Sequence, residues 1–183
     1  MDGAQRHQRE MEWVRRSRSG DHRAYRQLYE THVVRLYRFL AQFADDNNEV
    51  EDWVQRAFVK AYEHIGEFDE RSAFGTWLFR IGLNEMRSDF RRNKIVRLEP
   101  ESAAATVPVP DPSDDIASSH SVQTLLDSLD ERKRSVFILH DVEGFSHAEI
   151  GSMLGIEESH SRALLTRTKS FLRQQLGEDR KAL

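Results

Sequence analysis

The chain has 183 residues, a formal net charge of −4 and no cysteine. That length fits one domain or two small ones, and the lack of cysteine excludes disulfide staples and thiolate zinc sites and fits a reducing compartment. A small negative net charge argues against nucleic acid for the chain as a whole, so the distribution of charge carries the information. The N-terminal segment MDGAQRHQREMEWVRRSRSGD is charged throughout, without the apolar core of a signal peptide, and no later run could span a bilayer. A soluble cytoplasmic protein that does not insert into a membrane is expected, with residues 1–19 as an N-terminal tail.

The first predicted domain, 20–97, is all helix. Asp21 is placed to cap a helix with Ala24 and Leu28 facing inward and Tyr25 beside them, and Val33, Leu36, Tyr37 and Leu40 continue the apolar pattern after Thr31. The run Asp45, Asp46, Asn47, Asn48 breaks that pattern and starts another helix. In EVEDWVQRAFVKAYEHI, a core stripe is formed by Val50, Val54, Ala57, Phe58, Ala61 and Ile65. The reverse side presents Asp52, Gln55, Arg56, Val59 and Glu63, which taken alone is an ordinary wet surface with one exposed valine.

The next stretch, FDERSAFGTWLFRIGLNEMRSDFRR, reads as a loop followed by a helix. At about 3.6 residues per turn, Phe79, Leu83, Met86 and Phe90 form an apolar stripe for the core. Trp77, Arg80, Asn84, Ser88 and Arg91 line up on the opposite side, with Ile81 beside them. An aromatic platform, groups that reach base edges and cations for the backbone together suit unstacked nucleic acid, where a stacked base is worth roughly 1–3 kcal/mol. The alternative is an indole folded back on the neighbouring helices, with the arginines solvating the rest.

Lys and Arg vanish between Arg97 and Arg132, while acidic residues and all four prolines, Pro100, Pro108, Pro110 and Pro112, gather there. Residues 98–120 are therefore expected to be an acidic linker. Counted from roughly Val96 to Ser119, about 24 linker residues reach at most roughly 86 Å extended and average about 25–29 Å as a coil. One turn of duplex is about 34–36 Å, so two domains can sit more than a turn apart if the linker stretches. Its basic flanks are Arg87, Arg91, Arg92, Lys94 and Arg97 on one side, and Arg162, Arg167, Lys169 and Arg173 well along the other.

In the second predicted domain, 121–177, Val122, Leu125, Leu126 and Leu129 recur at helical spacing, Val136, Phe137 and Leu139 open a second apolar face, and Gly144 ends that helix. Ser146 followed by Glu149 is a capping box. Ile150 and Leu154 are core positions, Gly155 supplies a tight turn, and Ile156 plugs the angle before a longer helix beginning near Glu157 or Glu158. That helix buries Ala163 or Leu164, then Leu165, Leu172 and part of Thr168. The pattern is a helix-turn-helix, whose second helix enters the major groove. Candidate duplex readers are Ser159, His160, Arg162, Ala163, Thr166 and Arg167, with Lys169 and Arg173 better placed for phosphate. Residues 178–183 read as a C-terminal tail.

Three segments carry a family resemblance: DWVQRAF, FGTWLFRIGLNEMRSDFRR and LDSLDERKRSVFILHDVEGFSHAEIGSMLGI. They resemble regions two and four of extracytoplasmic-function sigma factors, the smallest promoter-recognition subunits of bacterial RNA polymerase, over about Gly20–Arg97 and Leu125–Leu176. The resemblance implies an all-α fold of two helical domains and a non-enzymatic role. The implied partners are core RNA polymerase, through its clamp helices and flap, promoter DNA and an anti-sigma factor; no cofactor or metal is implied. It assigns Asp52, Gln55, Arg56 and Val59 to polymerase. The melted −10 element falls to Asp69, Ser72, Phe74, Trp77, Arg80, Asn84, Ser88 and Arg91. The recognition helix would read the −35 element. Where the family often has G-T-V-K-S-R, this chain has Ser159 to Leu164 as SHSRAL, and Trp53 replaces a usual leucine.

Two other classes are open on sequence grounds. A helix-turn-helix repressor acting without polymerase explains the second half but not the Trp77 stripe. An enzyme would need a metal among residues such as His140, Asp141, His147 and Glu149, and no HExxH or comparable spacing is present.

Overall fold

The computed structural model describes residues 3–96 and 123–179, and the described residues contain helices and turns without strands. The expected linker, 98–120, its four prolines, Arg97, Val122 and the final tail residues 180–183 lie outside the described residues. In chain order the helices are α1 (Gly3–Arg18), α2 (His22–Leu40), α3 (Asn47–Glu63), α4 (Phe74–Val96), α5 (123–127), α6 (Glu131–Phe137), α7 (His147–Leu154) and α8 (Glu158–Asp179). A 3-10 turn, Ile65–Glu67, follows α3, and α6 widens into a π-helical turn over Ile138–Val142.

Local chemistry sets most boundaries. Asp21 caps α2 by accepting from the amides of Arg23 and Ala24, and Asp46 caps α3 through the Glu49 amide. α2 runs unbroken through Thr31, whose hydroxyl donates back to the Gln27 carbonyl at 2.6 Å. Val50, Val54, Ala57, Phe58, Ala61 and Ile65 are all buried, as the periodicity requires, and Trp53 joins them with no exposed surface. Its indole N–H donates to Asp89 at 3.2 Å, which satisfies the one polar atom that burial would strand.

The segment expected as an N-terminal tail is instead mostly helix. α1 docks against α2 through buried Met11 and Val14, and His32 of α2 meets Glu10 at 2.5 Å across the contact. The two halves also touch. Phe79 of α4 and Phe145, just before α7, pack edge-on with centroids 5.0 Å apart, and Arg35 lies over both rings while bonding Glu143 at 2.9 Å. Arg134 donates to the Gln42 carbonyl at 2.6 Å, and Arg87 to Glu131 at 2.6 Å.

Candidate nucleic-acid interface

The α4 face is fixed by what lies behind it. Leu78, Phe79, Leu83 and Met86 have no exposed surface, and Gly82 lets α2 approach so closely that an added Cβ would stand 2.9 Å from a Leu36 methyl. With that side buried, Arg80, Asn84 and Arg91 are exposed and Trp77 and Ser88 half-buried, so the five residues do share an outward face. Trp77 combines the two alternatives left open by sequence. Its ring leans on Phe68 and Phe74, at 5.2 and 5.8 Å, and still presents part of its surface.

Two assignments on this helix need correction. Phe74, expected to contact the melted strand, is fully buried between His32, Phe68 and Trp77, because the first turn of α4 must close the core. Phe90, expected on the core stripe, is 36% exposed and packs edge-on against Trp53. In the preceding loop Asp69 is exposed and Ser72 half-buried. Together with Trp77 and Arg80 they line a cleft of about 600 Å³ whose other wall is Ala148, Glu149 and Ser152, from α7. The Thr76 hydroxyl donates to Glu149 across it at 2.9 Å.

On α3, Asp52, Gln55 and Val59 are exposed. Gln55 and Val59 border a groove of about 840 Å³ shared with Tyr25, Tyr29 and Val33 of α2. Burial pushes the Tyr25 hydroxyl well above the ordinary phenol range, so it stays protonated and donates to the Phe58 carbonyl. Arg56 is the exception on this face. Its guanidinium turns toward α4, 3.5 Å from Glu85 and 3.6 Å from Asp89, where two carboxylates offer more than solvent does.

In the second half, Ser146 and Glu149 form the expected capping box, with the Ser146 amide donating to Glu149 at 2.9 Å. Gly155 is left-handed at φ +66, and an added Cβ on Gly151 would meet the Ile156 carbonyl at 2.7 Å, so the tight turn needs both glycines. Burial of Ser161, Leu164, Leu165 and Thr168 fixes how α8 is rotated. Ser159, His160, Arg162, Thr166, Arg167 and Arg173 are consequently exposed, and Ala163 is half-buried. Lys169 is also half-buried and bonded to Asp141 at 2.8 Å, so reaching a phosphate would break that pair. His147 bridges α7 to Ser161 at 2.9 Å and stacks on His140 at 4.5 Å; burial, then the charge of His140, holds its pKa below the ordinary imidazole value. Glu149 is used by the cap and by Thr76, Asp141 by Lys169 and His140. Among the described residues no group of three or more His, Cys, Asp or Glu could hold a metal.

The sequence reading missed Arg15 and Arg18, which bond Glu70 in the loop before α4 at 2.8 and 2.7 Å. Met11, Trp13, Val14 and Ser17 at helical spacing were the available signal that α1 packs.

A family model described as Sigma-70 region 2 matches residues 28–95, and one described as Sigma-70, region 4 matches residues 119–172. RNA polymerase sigma factor NccH of Alcaligenes xylosoxydans xylosoxydans is 32% identical over 168 residues, covering 87% of this chain and 90% of NccH. The chain belongs to the sigma-70 family. Its class is the extracytoplasmic-function one. ECF RNA polymerase sigma factor SigW of Bacillus subtilis is 27% identical, over 89% of this chain and 94% of SigW. Among solved structures, CnrH in complex with the cytosolic domain of CnrY superposes with a TM-score of 0.72 at 29% identity, covering 93% of this chain and 99% of CnrH. The sigma-70 fold and the helical architecture described above thus agree. No helix among the described residues is long and apolar enough to cross a membrane.

Proposed function

We propose that this chain binds core RNA polymerase in the cytoplasm and directs initiation at specific promoters, as a non-catalytic subunit without a cofactor. Region two occupies 20–97 with α1 docked on it, region four occupies 121–177, and 98–120 connects them. Asp52, Gln55 and Val59 face the polymerase clamp helices. Arg56 reinforces that face from behind through Glu85 and Asp89. Trp77, Arg80, Asn84, Ser88 and Arg91, with Asp69 and Ser72 of the loop, take the melted −10 strand. Ser159, His160, Arg162, Ala163, Thr166 and Arg167 meet the −35 duplex edge, and Arg173 and Lys169 its phosphates. An anti-sigma protein controls access to these faces, a reading supported by the bound state of its relative CnrH.

The observation that carries this reading is the pairing of two exposed faces of different character. Trp77 and Asn84 suit a single strand, whereas the arginine-bearing second helix of the helix-turn-helix suits a duplex. The test is transcription of a genomic library by core polymerase with and without the chain, followed by mapping of start sites. Starts that share two spaced elements and depend on the chain are expected; no chain-dependent start would refute the reading.

A further inference from the structure

The loop between the 3-10 turn and α4 carries Asp69 and Ser72, and also the only non-glycine residue of the described chain in a left-handed conformation, Glu70 at φ +59. A glutamate adopts that backbone at a cost, so something must hold it there. The holder is α1. The Arg18 guanidinium donates to the Ile65 carbonyl at 3.0 Å, to the Phe68 carbonyl and to the Glu70 carboxylate at 2.7 Å. Arg15 donates to the other Glu70 oxygen at 2.8 Å. One side chain thus ties both ends of the turn to the strained residue, and the Phe68 whose carbonyl it grips carries the ring on which Trp77 leans.

The geometry points to Arg18 and Glu70 as positioning residues for strand capture, holding the 68–73 loop and, through Phe68, the Trp77 ring in the geometry that receives an unstacked base. This assignment rests on the proposed −10 role of the α4 face. The exposures separate the two arginines: side-chain exposure is 27% for Arg18 and 24% for Glu70, but 66% for Arg15. Arg15 touches only the carboxylate and is largely solvated, whereas Arg18 also grips two loop carbonyls, so Arg18 does most to fix the loop backbone. A lysine in its place keeps the charge but lacks the fork that serves two carbonyls and a carboxylate at once. The hydrogen bond from Arg15 also holds the Glu70 carboxyl below the usual glutamate range, so the residue is ionised near neutral pH.

The experiment uses full-length chain in holoenzyme and measures binding of a single-stranded oligonucleotide carrying the mapped −10 bases, against a scrambled strand. Core affinity and thermal stability are measured in parallel. Arg18→Ala is expected to weaken −10 strand binding about tenfold to a hundredfold, the range for losing charge-assisted hydrogen bonds, with core affinity unchanged. Arg18→Lys should recover only part of this, and Arg15→Ala should bind within about twofold of wild type, as a solvated pair predicts. Glu70→Gly is the decisive variant. Glycine accepts the left-handed backbone without strain, so thermal stability should hold or rise while strand binding falls. Wild-type strand binding by Glu70→Gly would overturn the inference, as would an Arg18→Ala loss matched by equal losses in core affinity and folded fraction. A wild-type holoenzyme that does not distinguish the −10 strand from the scrambled one removes the strand-capture reading itself, and this assignment with it.

Discussion

Phe145→Ala should undock the two halves of the free chain. Phe145 is 8% exposed, and its ring meets Phe79 edge-on at 5.0 Å under the Arg35 guanidinium, so it is the apolar centre of the contact between α4 and the helix-turn-helix. Truncating a buried phenylalanine costs about 3–5 kcal/mol, of which an aromatic pair accounts for about 0.5–1.5 kcal/mol. At about 1.4 kcal/mol per factor of ten, docking should weaken by roughly two to nearly four orders of magnitude. The Arg35–Glu143 pair, with side chains 43% and 7% exposed, remains in the variant but loses the Phe145 ring beneath its guanidinium. Because the chain has no cysteine, Glu63→Cys and Arg173→Cys provide one label on α3 and one on α8 for energy transfer. The expected result is a broadened distance distribution in Phe145→Ala, with helix content by circular dichroism nearly unchanged. A wild-type distribution in the variant would refute the view that this ring holds the halves together.

Three further outcomes follow from the geometry. His147 has a folded pKa below its unfolded value, so the folded state binds fewer protons: stability of the helix-turn-helix should be full above about pH 6.5 and be lost as pH falls from there toward the folded pKa. Thermal melts across that window check this, and His147→Gln should flatten the slope. Arg167→Ala should lower affinity for one base identity by about 1–3 kcal/mol, while Arg173→Ala weakens all duplexes alike and reduces the salt slope, as read by binding to single-base −35 variants. Asp52→Ala with Gln55→Ala should weaken core polymerase binding in a titration without lowering thermal stability, since both side chains are exposed.

The parts legible in sequence are those governed by local rules. The α3 stripe, the Asp21 cap, the helix start at Asp45–Asn48, the Ser146–Glu149 box and Gly155 each depend on residues within a turn or two of one another. What was missed depends on distant partners. α1 reads as a tail because only a few buried residues sit among its arginines, and the reason for those arginines, Glu70, lies some fifty residues on. Phe74 looked available because a pattern cannot show that the loop folds it under Phe68. Arg56 and Lys169 looked like free cations because their carboxylates come from other helices. The outward face of α4 was legible because its opposite, Phe79, Leu83 and Met86, is so regular, although the helix-turn-helix wall across the cleft was not.

The most direct test of strand capture is permanganate footprinting of −10 thymines by holoenzyme carrying Asn84→Ala, on duplex and on premelted promoter. Asn84 is exposed beside fully buried Leu83, so its loss should leave folding, core binding and −35 binding intact, while Leu83→Ala, the control, should cost about 2–5 kcal/mol of stability. Its amide can pair with a base edge only after that base leaves the stack, a step that costs a few kcal/mol, so its removal penalises the melted state alone. The account predicts weak thymine reactivity on duplex and transcription largely restored on the premelted template. Normal reactivity on duplex with Asn84→Ala would contradict it.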